Sequence, residues 1–102
     1  MRDLLSAADL TAARSTIPDW QLAGDTLTRT VTCASFRAAI ALVNAVADVA
    51  EERDHHPDID IRWRTVRFTL TTHSAGGLTE QDPALATAID QLVNAAGGDG
   101  GS

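Results

Sequence analysis

Apolar and polar positions along this chain follow two different periods, and the places where the period changes mark its elements. Ser6, with Asp9 three residues later, reads as a helix start, and Leu10, Ala13 and Ile17 carry an apolar side beyond it. Trp20, Leu22 and a Gly24-Asp25 turn lead into a segment where threonines alternate with Leu27, Arg29, Val31 and Cys33, the period of a half-buried strand. A first hairpin is predicted there. Ser35 then caps the longest helical pattern, with Phe36, Ile40, Val43, Ala47 and Ala50 expected toward the core and Leu42, Val46 and Val49 forming a second stripe beside them. An apolar band that wide predicts cover on two sides, part of it from another subunit.

Pro57 pushes the residue before it out of the helical region, so this helix must end by His56. Ile59, Ile61 and Trp63 alternate next, then Val66, Phe68 and Leu70, which predicts two strands joined by a tight turn near Arg64-Thr65. Gly76-Gly77 interrupts the pattern, and a last helix begins at Thr79 or at Asp82, the second start placing Pro83 in the first turn. Leu85, Ile89, Leu92 and Ala96 give that helix its apolar side. The order αββαββα predicts an α+β two-layer sandwich, a four-stranded antiparallel sheet with about three helices on one face. It would occupy residues 1–96, and the GGDGGS run from Gly97 to Ser102 reads as a flexible tail.

With 102 residues the chain makes one small domain with little core of its own, which favours pairing with another copy. Fourteen acidic residues against eight basic ones, all arginine, leave a formal charge of −6 and no electrostatic footprint for nucleic acid, so no direct nucleic-acid partner is expected. Cys33 is the single cysteine, which excludes an intramolecular disulfide and a cysteine-built metal site. No apolar run has the length of a signal peptide or a bilayer span, so the expected location is cytoplasmic, away from membranes.

The candidate chemistry lies in three histidines, each at the end of a predicted element: His55 and His56 where the long helix stops, His73 where the fourth strand runs out. Adjacent residues of extended chain point to opposite sides, so His55 and His56 share one ligand only if the loop bends. His73 shares the strand parity of Arg67, Thr69 and Thr71 and is expected off the core side. Three readings stay open on pattern alone. Three imidazoles can hold zinc, although an adjacent pair is an unusual ligand spacing. The His55-His56 pair can cap the helix C-terminus against its dipole. Or the group transfers protons, because histidine is the side chain that ordinarily titrates near neutral pH.

Other residues carry double readings too. Trp20 and Trp63 could stack on a flat ring, although tryptophan among apolar neighbours at strand parity is more often core. Arg62, Arg64 and Arg67 make an anion patch or merely a solvated face. Glu51, four residues before His55, could orient it or be a plain surface carboxylate. Asp82 could be only a helix cap, and Gly76-Gly77 only a turn.

Glu51 with His55-His56-Pro57, Leu70 with Thr72-His73, and Gly77-Leu78-Thr79 with Asp82, Leu85 and Ala86 together resemble the pterin-4a-carbinolamine dehydratase family. That family carries E-x-x-x-H-H-P at the end of its long helix, L-x-T-H at the end of its fourth strand, and G-L-T/S-x-x-D-x-x-L-A after it. The resemblance runs from Leu10 to Leu92 and is most specific between Ala50 and Ala86. It implies that His55, His56 and His73 are the catalytic histidines, with Glu51, Asp82 and Trp20 as substrate-binding or supporting groups and no metal. The implied reaction is dehydration of the 4a-hydroxytetrahydropterin left by aromatic amino acid hydroxylases, recycling their cofactor. The pterin is then the substrate, no further cofactor is needed, and a homodimer or homotetramer is the expected assembly. A family member also acts as a dimerisation cofactor for a transcription factor, so the resemblance equally implies an alternative, a non-catalytic interaction module. Val31, Cys33 and the Trp63-Arg64 pair depart from the family's aromatic residues and its Tyr-Asn pair, which bears on packing more than on chemistry.

Overall fold

The computed structural model describes residues 3–96; the glycine-rich tail read from the sequence lies outside the described residues. The elements in chain order are α1 (Ala7–Arg14), β1 (Gln21–Ala23), β2 (Thr26–Thr32), α2 (Phe36–Arg53), β3 (Asp58–Arg62), β4 (Thr65–Leu70), a 3₁₀ turn at His73–Ala75, and α3 (Gln81–Ala95). The strands form one antiparallel sheet in the order β1-β2-β4-β3, the α+β architecture that the order of periods predicts.

Pairing of β2 with β4 sets Leu27 opposite Leu70 and Val31 opposite Val66. These side chains are fully buried, as is Phe68, whereas Thr30 and Arg67 on the other face are exposed. A slip of one residue would exchange the two faces, so this alternation pins the register. α2 packs on α3 and on β4 and closes the buried face.

Both serine caps form as expected. Ser6 Oγ accepts the amide of Asp9 at 3.0 Å and Ser35 Oγ that of Ala38 at 3.0 Å, satisfying donors that helix geometry leaves open. Ile17, expected on the apolar side of α1, instead lies beyond its end at Arg14, and is buried in the turn before Trp20.

The stripe assignment on α2 reverses except at Ala50, which is buried as expected. Ala39, Leu42, Val46 and Ala50 face the core, while Phe36 is 53% exposed, Ala47 is exposed, and Ile40 and Val43 are half-buried. Two apolar stripes adjoin on this helix and only one can meet the sheet. The one that does carries small Ala39 and Ala50 at its ends, which admit close approach.

Trp63 is the other correction. The expected turn near Arg64-Thr65 lies one residue earlier, at Trp63-Arg64, between the paired Arg62 and Thr65. A two-residue hairpin loop needs positive φ at its first position, and Trp63 supplies it at φ 56. The ring thus leaves the strand pattern, stands 72% exposed, and carries the Arg64 guanidinium 4.9 Å from its centroid. Arg62 pairs with Asp60 in solvent, Arg64 donates to Cys33 O at 3.1 Å, and Arg67 is exposed. No helix among the described residues is long and apolar enough to cross a membrane.

Candidate functional site

The end of α2 decides where its two histidines go. Asp54 adopts a left-handed conformation at φ 50, its amide reaching the carbonyls of Ala50 and Glu51, and the amide of His55 bonds to Ala50 O at 3.1 Å. This wrapped terminus reverses the chain. His55 is turned inward and only 8% exposed, while the His56 side chain is 54% exposed. The opposite-sides expectation for adjacent residues therefore holds.

β4 ends at Leu70, and the chain then closes on itself: Thr72 pairs with Gly77, its amide bonded to Gly77 O at 3.0 Å. Gly76, at φ 76, makes the return possible. His73 therefore opens a 3₁₀ turn rather than extending the strand, and it is exposed, off the core as its parity suggests. Its predecessor Thr72 is buried.

Thr79 and Asp82 open α3 as a reciprocal cap. Thr79 Oγ1 accepts the amide of Gln81 at 3.3 Å, and Asp82 Oδ2 accepts the amide of Thr79 at 2.9 Å. Asp82 does more than cap the helix. Fully buried, it takes His55 Nε2 on Oδ1 at 2.7 Å and the Thr72 hydroxyl on Oδ2 at 2.8 Å, while Thr72 and Thr79 hydroxyls lie 2.8 Å apart. Three elements thus meet at one carboxylate: the end of α2, the loop after β4 and the start of α3. Beside this cluster His55 joins Arg53, Glu80, Gln81 and Ala84 in lining a cleft of about 280 Å³.

Glu51 does not reach His55. It pairs with His56, in solvent, because the left-handed Asp54 swings His55 away toward Asp82 and brings His56 back beside the last turn of α2. Trp20 is buried elsewhere in the core, its indole N–H donated to Asp90 Oδ1 at 2.8 Å. Asp90 also takes the guanidinium of Arg29, which the alternation of β2 turns toward the core, and Asp19 lies 3.7 Å from the same group. The structure therefore joins His55 to Asp82 and His56 to Glu51, with His73 adjacent in sequence to Thr72. Among the described residues no hydrogen bond links the three imidazoles, and no three His, Cys, Asp or Glu side chains are grouped as metal donors.

Thr72 and Arg53 are the site residues that sequence reasoning missed as such, with Thr79 beside them as the cap of α3. The T-x-x-D spacing of Thr79 and Asp82 was a usable signal, being that of a capping box. Thr72 stands in the T-H pair that closes the fourth-strand motif, although nothing there assigns it a role, and nothing local marks Arg53.

The family model described as pterin 4 alpha carbinolamine dehydratase matches residues 3–92. A relative from Nocardia farcinica, provisionally named a pterin-4-alpha-carbinolamine dehydratase, is 59% identical over 89% of this chain and 96% of its own. One from Chloroflexus aurantiacus with the same name is 53% identical over 87% of this chain and 96% of its own. Among solved structures, a transcriptional coactivator/pterin dehydratase from Brucella melitensis superposes with a TM-score of 0.83 at 28% identity, covering 87% of this chain and 97% of that one. A pterin dehydratase-like protein identified as a RuBisCO assembly factor in the alpha-carboxysome superposes with a TM-score of 0.60 at 27% identity, covering 78% of this chain and 89% of that one. The chain belongs to the pterin 4 alpha carbinolamine dehydratase family.

Proposed function

We propose that this family member dehydrates 4a-hydroxytetrahydropterin to quinonoid dihydropterin and water by histidine acid–base catalysis, recycling the cofactor of aromatic amino acid hydroxylases. The reaction delivers one proton to the departing 4a-hydroxyl, which leaves as water, and removes one from ring N5; no redox change or further cofactor is involved. The observation that carries this reading is His55 held by a buried carboxylate at the edge of a cleft. An imidazole so backed can take up a proton while the carboxylate stabilises the resulting imidazolium. His55 holds or deprotonates the pterin, and His56 or His73 protonates the hydroxyl, both rings standing exposed to solvent. No metal is needed for these two transfers.

The test is the dehydration rate of freshly generated carbinolamine with His55→Ala, His56→Ala and His73→Ala. Loss of rate in the His55 variant and in one of the others supports the roles. Full activity in all three refutes them.

The protein works in this reading as a cytoplasmic homodimer or homotetramer, the half-covered Phe36, Ile40 and Val43 stripe of α2 being the surface that supports association. A second reading, a non-catalytic interaction module, is favoured by the roles named for two structural neighbours, a coactivator and an assembly factor. Carbinolamine turnover by the purified protein separates the two.

A further inference from the structure

Asp82 is 0% exposed, and a carboxylate in such a place is tolerated only when donors surround it. Here every donor can be given a direction. An ionised carboxylate only accepts, so the single O–H of Thr72, 2.8 Å from Asp82 Oδ2, must point at it. The Thr72 oxygen is then left as an acceptor, and the Thr79 hydroxyl at 2.8 Å donates to it. Thr79 Oγ1 in turn accepts the Gln81 amide at 3.3 Å. Oδ2 also receives the Thr79 amide at 2.9 Å, which fills that oxygen and leaves Oδ1 for the His55 ring at 2.7 Å. The proton on His55 therefore sits on Nε2, and in the neutral ring Nδ1 is a lone pair.

We propose that Thr72 is a positioning residue for His55: its buried hydroxyl orients Asp82 so that His55 is held as the Nε2–H tautomer, with Nδ1 open to take a proton from the substrate. The inference rests on the dehydratase reading for its consequence, though not for its geometry. Thr72 suits the task because it is fixed from both sides. Its backbone is paired with Gly77, the residue is 3% exposed, and it precedes His73, so one side chain ties the turn bearing one histidine to the carboxylate holding another.

Thr79 provides the control. Its hydroxyl is equally buried, but it reaches the carboxylate only through Thr72, and its amide contact to Asp82 survives any change of side chain. Thr72→Val removes a donor to Asp82; Thr79→Val does not. The experiment compares Thr72→Val, Thr72→Ser and Thr79→Val by melting temperature, by carbinolamine dehydration kinetics, and by ¹⁵N shifts of the His55 ring. Both valine variants are expected to melt lower than the native protein. Only Thr72→Val should mix the His55 tautomers and lower kcat about tenfold with KM within about twofold, and Thr72→Ser should restore both. Thr72→Ala serves the same comparison should the valine not fold.

An unchanged His55 spectrum and kcat in the Thr72 variant overturn the proposal, as does an equal effect from Thr79→Val, which would mark a merely structural role. If the native protein turns over no carbinolamine, the dehydratase reading fails by itself. The ¹⁵N comparison then decides alone whether Thr72 sets the tautomer.

Discussion

Helix α3 carries two inward carboxylates eight residues apart, and they serve opposite ends. Asp82, at its start, is fully buried against an imidazole, a hydroxyl and a backbone amide. Asp90, about 12 Å further along the axis, is 19% exposed against the Trp20 indole and the Arg29 guanidinium. The acceptor is the same and the partners decide the outcome. Indole and guanidinium keep their protons at any physiological pH, so Asp90 can only tie the chain before β1 and the core face of β2 to the helix. Imidazole can both accept and donate a proton, so Asp82 supports a group that can do chemistry.

The comparison is broken most forcefully through the histidine. His55→Ala is expected to lower the dehydration rate by roughly 100- to 10,000-fold, the usual reach of a general acid or base, with the fold retained by circular dichroism. Asp82→Asn should follow at about 100-fold, because an amide at this position can present its NH₂ to His55 and impose the wrong tautomer; kcat and the His55 ¹⁵N spectrum measure it.

Asp90→Ala should act on the other quantity. It removes an acceptor from Trp20 and a charge from a largely buried arginine, at a cost of about 2–3 kcal/mol in urea unfolding, with kcat of the folded protein within about threefold of native. A loss of kcat larger than the loss of stability would erase the distinction between the two carboxylates. The smallest effect is expected where histidine and carboxylate meet in solvent. Glu51→Gln should change unfolding by less than about 0.5 kcal/mol, because the His56–Glu51 pair has side chains 54% and 76% exposed. A larger stability change there would mean that burial is not what separates these pairs.

How far the residues announced this arrangement differs from one to the next. Ser6 and Ser35 cap their helices with hydrogen bonds spanning three residues, which sequence spacing states directly. Leu27, Val31, Val66, Phe68 and Leu70 display the strand period, and both hairpins follow from it. Trp63 failed because its alternation with Ile59 and Ile61 ran one residue past the last strand pair, and a positive φ at tryptophan is invisible in composition. The α2 stripes failed because helical periodicity gives two adjoining apolar faces without saying which meets the sheet. Glu51 was placed within helical reach of His55, but the left-handed Asp54 sends each histidine to the other side.

The chain's own pattern determined its elements, their order, the α+β class, and the histidine motifs that place it in its family, because those depend on neighbours within a few residues or on matching words of sequence. What the tertiary structure alone decided is which partner each polar group meets: His55 with Asp82 across 27 positions, Thr72 with Asp82 across 10, Arg29 with Asp90 across 61. Such pairings form only when separate elements pack and water is expelled from between them. Any of the fourteen acidic residues could have been the one that stands beside a given donor, and only the packed fold selects it.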